Sequence, residues 1–285
     1  MSKKVVIIII TIVVISAVLI GLNFVRKNTS FLTTTVDPVV INDNNSNQVP
    51  GDNEELSQWQ NLQSKKLVVP AQYVDMVPKD KSLNVPPNMT ISVYAAGLGE
   101  ARFMAVVDEE KVFVTDKRGR VLLLRDQDKD GVVDKIDVVV ESLQRPHGLA
   151  WDNGDLYIAE EHRIIVFEGD ADGDFENPRT VIPDLPNDGG HFTRTVEIGP
   201  DENLYISVGS SCNVCEEKDD RRATILKYSK QGKFLGYVGR GLRNTVGFTF
   251  YDDSLVGVDN GRDWLGDDTP PDEVNILSLE SHGLE

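Results

Sequence analysis

Two cysteines, four histidines and 7% aromatic residues are a thin supply of the side chains that most often do chemistry in a chain of 285 residues. Two cysteines cannot staple a disulfide scaffold, so the fold has to bury an apolar core. Cations are also short: 29 Lys and Arg face 46 Asp and Glu, a net charge of −17. A phosphate backbone would be repelled and no basic face offsets this, so no nucleic-acid partner is expected. No second CxxC and no HxxxH accompanies Cys212 and Cys215, so half the ligands of a zinc site are missing. After residue 68 there is no convincing amphipathic helix, which excludes bundles and doubly wound folds.

What the chain does have begins with one long apolar run. Val5 to Leu22 carries no charge and the run extends to Val25. As a helix, about 21 residues at ~1.5 Å each span about 30 Å, the thickness of a bilayer core. The run lacks the short apolar region and small-x-small site of a cleaved signal. Residues 1–27 are therefore expected to be a retained transmembrane anchor. Lys3 and Lys4 before it balance Arg26 and Lys27 after it, so flanking charge gives no orientation. Residues 28–67, with TTT, NDNNSN and PGDNEE, read as a disordered polar linker. N-x-S/T sequons at Asn28, Asn44 and Asn88 fit an exported stalk. The expected location is the cell membrane, single-pass, with the globular domain outside the cytoplasm.

Residues 68–285 change character. Short β-branched or alternating runs recur (KVFVTD, RVLLLRD, DLYIAE, RIIVFEG, NLYISVG, SLVGVDN), separated by Gly, Asp, Asn or Pro. They repeat as strand, Asp/Gly turn, strand ending in a polar step, third strand, with starts about 45 residues apart, the spacing of propeller blades. The expected fold is an all-β, six-bladed type of propeller. From Asn88 onward there is material for about four and a half blades. An open ring would expose strand edges, so the chain is expected to lack its C-terminal blades.

Several polar motifs interrupt the strands. Asp126, Asp128, Asp130 and Asp134 in DQDKDGVVD alternate before a glycine, as a hard cation would require, although an acidic hairpin without metal gives the same pattern. EGDADGD (168–174) is a weaker echo. His147 begins a strand and reads as structural; His162 reads as surface. His191 follows Gly189 and Gly190, with Arg194 three residues on, and its type suits a base near neutral pH. Cys212 and Cys215 can be a redox pair, half a zinc site or a local disulfide; outside the cell a disulfide is favoured.

In order and spacing, VYAAGLGEARFMAV, RPHGLAW, GHFTRTVEIGPDENLYISVGSSCNVCEE, RRATIL, GLRNTVGF and DNGRDWLGDDTPPDEVN make residues 85–285 resemble the glucose/sorbosone dehydrogenase family, nearest its sorbosone dehydrogenase-like branch. The resemblance implies a six-bladed propeller binding pyrroloquinoline quinone and calcium. It implies His191 as the base that takes the hydroxyl proton while hydride passes to the quinone. Arg243 and Asn244 of GLRN would contact the quinone, with Arg194 and Ser210 beside it. The backbone step Gly261–Arg262 would ligate calcium, with Asp272 and Glu273 behind it. Where the glucose enzymes have Gly-Asp, this chain has Gly209–Ser210, so a carboxylate that orients the histidine is missing.

The function expected is a membrane-tethered extracytoplasmic oxidoreductase acting on a sugar or related alcohol or aldehyde, passing electrons to a membrane or soluble acceptor. The alternatives are a non-catalytic propeller that binds a protein or glycan, and a lactonase-like hydrolase, for which no axial set of carboxylate and Asn ligands is evident.

Overall fold

The computed structural model describes residues 61–78, 80–266 and 269–279, together with the two-residue strand Val6–Ile7 (β1). Apart from β1, the expected anchor lies outside these residues, as do most of the linker, Asn28, Asn44 and His282. Among the described residues no helix is long and apolar enough to cross a membrane. The chain forms two compact units, residues 1–96 and 97–285.

In the first unit, Gln63–Lys66 (β2) pairs antiparallel with Ser82–Val85 (β3), around a 3₁₀ turn at Ala71–Tyr73; Ile91–Ser92 (β4) pairs parallel with β1. The end of the expected linker is thus a strand, because residues 82–85 supply it a partner. Residues 68–96 belong with it and not with the blades.

The second unit is all-β and propeller-like. Its first sheet is Ala101–Val106 (β5), Lys111–Asp116 (β6), Arg120–Arg125 (β7) and Lys135–Val140 (β8). The second is Leu149–Asp152 (β9), Asp155–Ala159 (β10), Ile164–Glu168 (β11) and Glu176–Ile182 (β12). The third is Arg194–Ile198 (β13), Leu204–Val208 (β14), Thr224–Tyr228 (β15) and Phe234–Arg240 (β16). The fourth has three strands, Thr245–Tyr251 (β17), Ser254–Asp259 (β18) and Glu273–Ser278 (β19). This is about four blades. The larger expectation counted residues 88–96, which fold in the other unit.

Pairing is antiparallel throughout the blades, as short turns demand. Asn153–Gly154 shows why the sequence turns where it does. Both have positive φ, 47° and 109°, the pair of values a two-residue hairpin needs. The second strand of each blade reads as a nearly continuous apolar run because both its faces are covered. Phe113, Leu156 and Leu204 are fully buried, and Leu255 likewise. Blades 1 and 2 share one core around Phe113, Leu123, Leu156 and Ile158; blades 2 and 3 share another around Tyr157, Val166, Val196 and Ile206.

A polar device closes three of the four blades. Asp116, Glu160 and Asp259 sit at the end of the second strand, buried. Each accepts backbone N–H groups from the segment entering its own blade: Glu100 to Asp116 (3.2 Å), Gln144 to Glu160, and Arg243 and Asn244 to Asp259 (both 2.8 Å). Burial alone would raise the Asp116 carboxyl, but hydrogen bonds from Arg118 and Arg120 hold it well below the usual range. Blade 3 has Val208 in the corresponding place.

Gly148, at the entry to β9, donates its N–H to the Arg194 carbonyl (2.9 Å). A Cβ there would stand 2.7 Å from that oxygen, 2.8 Å from Thr195 Cα and 2.8 Å from Val196 N, all backbone. Gly148→Ala is therefore expected to cost about 1–3 kcal/mol, read as a lower urea midpoint; an unchanged midpoint would show that blades 2 and 3 can separate without loss.

Candidate active site

The loop from Pro183 to Thr193 carries His191 into β13. Gly189 has φ 108°, and a Cβ on it would lie 2.5 Å from the Ser211 carbonyl oxygen. Gly190 donates its N–H to the same oxygen at 2.7 Å. The two glycines thus let this loop lie directly on the segment that follows β14. That contact brings His191 Nδ1 to 2.9 Å from both the carbonyl and the hydroxyl oxygen of Ser210. The Ser210 hydroxyl donates to the Cys212 carbonyl (2.7 Å), so toward the ring it accepts. Nδ1 therefore carries the hydrogen, and Nε2 presents a lone pair with no hydrogen-bond partner among the described residues. Burial holds the His191 pKa below 6.5; the Ser210 bond opposes this and the Arg243 charge reinforces it. Next to it, the Arg145 guanidinium stacks on the Phe192 ring, 3.7 Å from the centroid.

Ser210 is thus the group that orients the His191 ring, a backbone carbonyl and hydroxyl standing where a carboxylate was missed. Arg194 also has a task other than the expected cofactor contact. It is fully buried, and its Nη atoms donate to the carbonyls of Pro186, His191 (2.9 Å) and Thr193 (2.7 Å). Its Nε is buried, with no hydrogen-bond partner among the described residues. Burial, and then the neighbouring Arg222, push its pKa down to about 9. Arg222 donates to the Gly209 carbonyl (3.2 Å), reaches the His191 carbonyl at 3.5 Å, and pairs with the exposed Asp188 at 3.0 Å. Two guanidinium groups hold the loop of blade 3 by its carbonyls, where the other blades use a carboxylate on N–H groups. The expected structural role of His147 agrees with its place. It is buried, with Nδ1 3.0 Å from the Arg194 carbonyl and Nε2 3.2 Å from Arg102, and burial pushes its pKa down to about 3.

Arg243 and Asn244 enter blade 4 against the same spot. Ser210 donates its N–H to the Arg243 carbonyl (2.8 Å). A Cβ on Gly209 would stand 2.6 Å from Asn244 Oδ1 and 2.7 Å from His191 Cβ. Gly209 is thus the point where His191 and the Asn244 amide meet. Asp259 fixes this corner through the N–H groups of Arg243 and Asn244 and the Thr245 hydroxyl, each at 2.8 Å. Cys212 and Cys215 form a disulfide, with Cα atoms 6.1 Å apart. That leaves neither thiolate for a metal.

Gly261 lies in the following loop. Its N–H donates to Asp272 Oδ1 (2.9 Å), and a Cβ would meet the Pro271 and Pro270 carbonyl oxygens at 2.9 and 3.0 Å. These oxygens lie just ahead of β19, and Arg262 and Glu273 stand exposed beside them. Far along blade 1, carboxylate oxygens of Asp126, Asp128 and Asp130 lie within 4.8 Å of one another. Burial raises the Asp126 pKa, and the Asp130 charge adds to it. Asp134 is outside this group, accepting the Gln127 N–H at 2.7 Å. The echo loop is engaged differently: Asp172 pairs with Lys111 (2.8 Å) and Arg125 (2.7 Å).

Sequence reasoning passed over Arg222, Asn213, Asp259 and Asp263. Asp259 was legible as the third member of the strand-end carboxylate series. Arg222 had only the doublet RRATIL to signal it.

Among known proteins, the TrAA12-like family model matches residues 83–278. An uncharacterized protein of Borreliella burgdorferi is 31% identical over 159 residues, covering 50% of this chain and 41% of that protein. The iodide structure of the Carbohydrate-Active Enzymes Family AA12 protein of Trichoderma reesei superposes with a TM-score of 0.59 at 22% identity, covering 65% of this chain and 53% of that one. The holo form of the pyranose dehydrogenase PQQ domain of Coprinopsis cinerea gives 0.54 at 22% identity, covering 60% and 46%. These structural likenesses show the fold. The chain spans about half, or less, of the length of these relatives. The family match runs through every blade and every loop that meets at Gly209, and by it the chain belongs to the TrAA12-like family.

Proposed function

We propose that this protein is an oxidoreductase that oxidises a sugar or related alcohol or aldehyde, with pyrroloquinoline quinone as cofactor and calcium as its metal, on a six-bladed ring held outside the cytoplasm by the apolar segment Val5 to Val25. One observation carries the reading: His191 has Nδ1 locked on Ser210, with no hydrogen-bond partner on Nε2 among the described residues, and its Cβ and the Asn244 amide oxygen both close on Gly209. The resemblance to the sorbosone branch and the PQQ domain among the structural relatives support the cofactor.

The donor set suits these groups. Arg243 and the Asn244 amide offer N–H donors for the carbonyls and carboxylates of the quinone. The carboxylates of Asp272 and Glu273 and the backbone carbonyls of Gly261 and Arg262 would offer oxygen, the ligand a hard cation takes. Bound quinone would supply the two-electron acceptor. The chain itself handles the proton. Nε2 accepts it from the substrate hydroxyl, and the Nδ1 hydrogen stays on Ser210, so the ring keeps its aim through the transfer. No carboxylate touches the imidazole. Asp263 and Asp259 act on it only through space, favouring the charged ring.

The full chain, reconstituted with calcium and the quinone, is expected to take up cofactor absorbance and to reduce a dye with one of a panel of aldoses. Absence of uptake sinks the proposal. His191→Ala should keep the quinone and lose turnover by about 10²–10⁴-fold; wild-type turnover in that variant would place the base elsewhere.

The base works only when neutral. Burial lowers its pKa from the ordinary histidine value, so the neutral form predominates at pH 7. The acid limb of kcat/KM is thus expected to be centred below pH 6.5. A limb centred above 7 would contradict the assignment.

A further inference from the structure

We infer that Asn213, presented by the turn that the Cys212–Cys215 disulfide closes, is the positioning residue that aims Arg243 into the site. The inference rests on reading Arg243 as a quinone contact.

A guanidinium carries five N–H donors in a planar fork. In Arg243 four are taken by the protein. Nε donates to the Asn213 carbonyl (3.2 Å) and Nη1 to the Asn260 carbonyl (3.3 Å). Nη2 spends both of its hydrogens, on Asn213 Oδ1 (2.9 Å) and Asp263 Oδ2 (2.8 Å). One N–H on Nη1 is left for a ligand, and its direction is set once Nε and Nη2 are fixed. Two of the four fixing bonds come from Asn213.

Asn213 also joins the two loops that flank Arg243. Its Oδ1 accepts the Asp263 N–H (2.8 Å) and its Nδ2 donates to the Asp263 carbonyl (3.1 Å). The blade 3 loop and the loop after β18 are thus tied through one amide. That amide sits on a poor support, since Val214, Cys215 and Glu216 beside it are exposed. A surface turn of this kind would sample many conformers. The disulfide removes that freedom, so the cross-link acts on Arg243 through Asn213. A disulfide serving only as a surface staple would have no such chain of bonds leading to a site residue. The sequence fits this reading: CNVC puts the amide inside the ring that the two sulfurs close.

The test compares wild type, Asn213→Leu, Asn213→Asp and the double variant Cys212→Ser/Cys215→Ser, all as full chains. Amide hydrogen exchange over residues 259–263 is measured without cofactor, with blades 1 and 2 as internal control, followed by the dissociation constant for the quinone, kcat and KM. Asn213→Leu and the double Ser variant are expected to exchange at least about tenfold faster over 259–263, with blades 1 and 2 unchanged. Their quinone affinity should fall about tenfold or more, the loss expected for freeing a charged donor, while KM for the sugar holds. Asn213→Asp keeps the Oδ1 acceptor for Arg243 and for the Asp263 N–H but loses the Nδ2 donor to the Asp263 carbonyl, so its exchange over 259–263 should fall between wild type and Asn213→Leu. Unchanged exchange over 259–263 in Asn213→Leu overturns the inference, and so does faster exchange with unaltered quinone affinity. If no variant, wild type included, binds quinone, the proposed function fails, and the exchange data still decide whether Asn213 holds the loop.

Discussion

Three of the four blades turn on a buried acceptor at the end of the second strand. A buried carboxylate is costly unless N–H groups converge on it. Asp116, Glu160 and Asp259 meet that condition by drawing in the backbone that leads to their own first strand. The entry segment of the blade is thereby fixed, and the polar loops gather at one rim. Blade 3 departs from the rule, with Val208 where the carboxylate would stand and with donors in place of acceptors: Arg194 and Arg222 reach out to carbonyls. Reversing the polarity reverses what the loop shows. Its carbonyls turn inward to the guanidinium groups, and the His191 ring is left bonded to Ser210. The one blade without the carboxylate is the one that carries His191.

How much of this was readable in advance follows from the range of each interaction. The strands and the blade repeat are set by periodicity and by turns such as Asn153–Gly154, both local, and they were legible. So was His191, because glycines on its N-terminal side announce a loop forced close to its neighbour. The role of Arg194 was not legible. An arginine near a histidine reads as a ligand contact, and only the packing of blade 2 on β13 shows it sealed from the site. Ser210 was read as touching the cofactor, but its side chain and carbonyl are spent on the imidazole. Nor could the sequence divide residues 68–96 from the blades, since β3 has the same apolar pattern as a blade strand and differs only in its partner.

The charge of the chain and the charge of the site run in opposite directions. The protein carries −17 overall, yet Arg194, Arg222 and Arg243 lie within a few residues' reach of His191. Arg194 is held there at a cost that lowers its own proton affinity. Nothing about solubility calls for this. A local positive field in a low-dielectric setting favours an anion, whether a carboxylate of a bound group or charge that develops during reaction.

Arg194 also ties the stability of its loop to burial. Burial, and then Arg222 beside it, lower its pKa, and the carbonyls of Pro186, His191 and Thr193 hold it in place. A ligand that binds only the folded state adds RT ln(1 + [L]/Kd) to its stability, about 2.7 kcal/mol at a hundredfold excess over Kd. On the proposed function the lifetime of the chain would therefore follow the supply of what it binds, the unloaded form being the one most exposed to proteases.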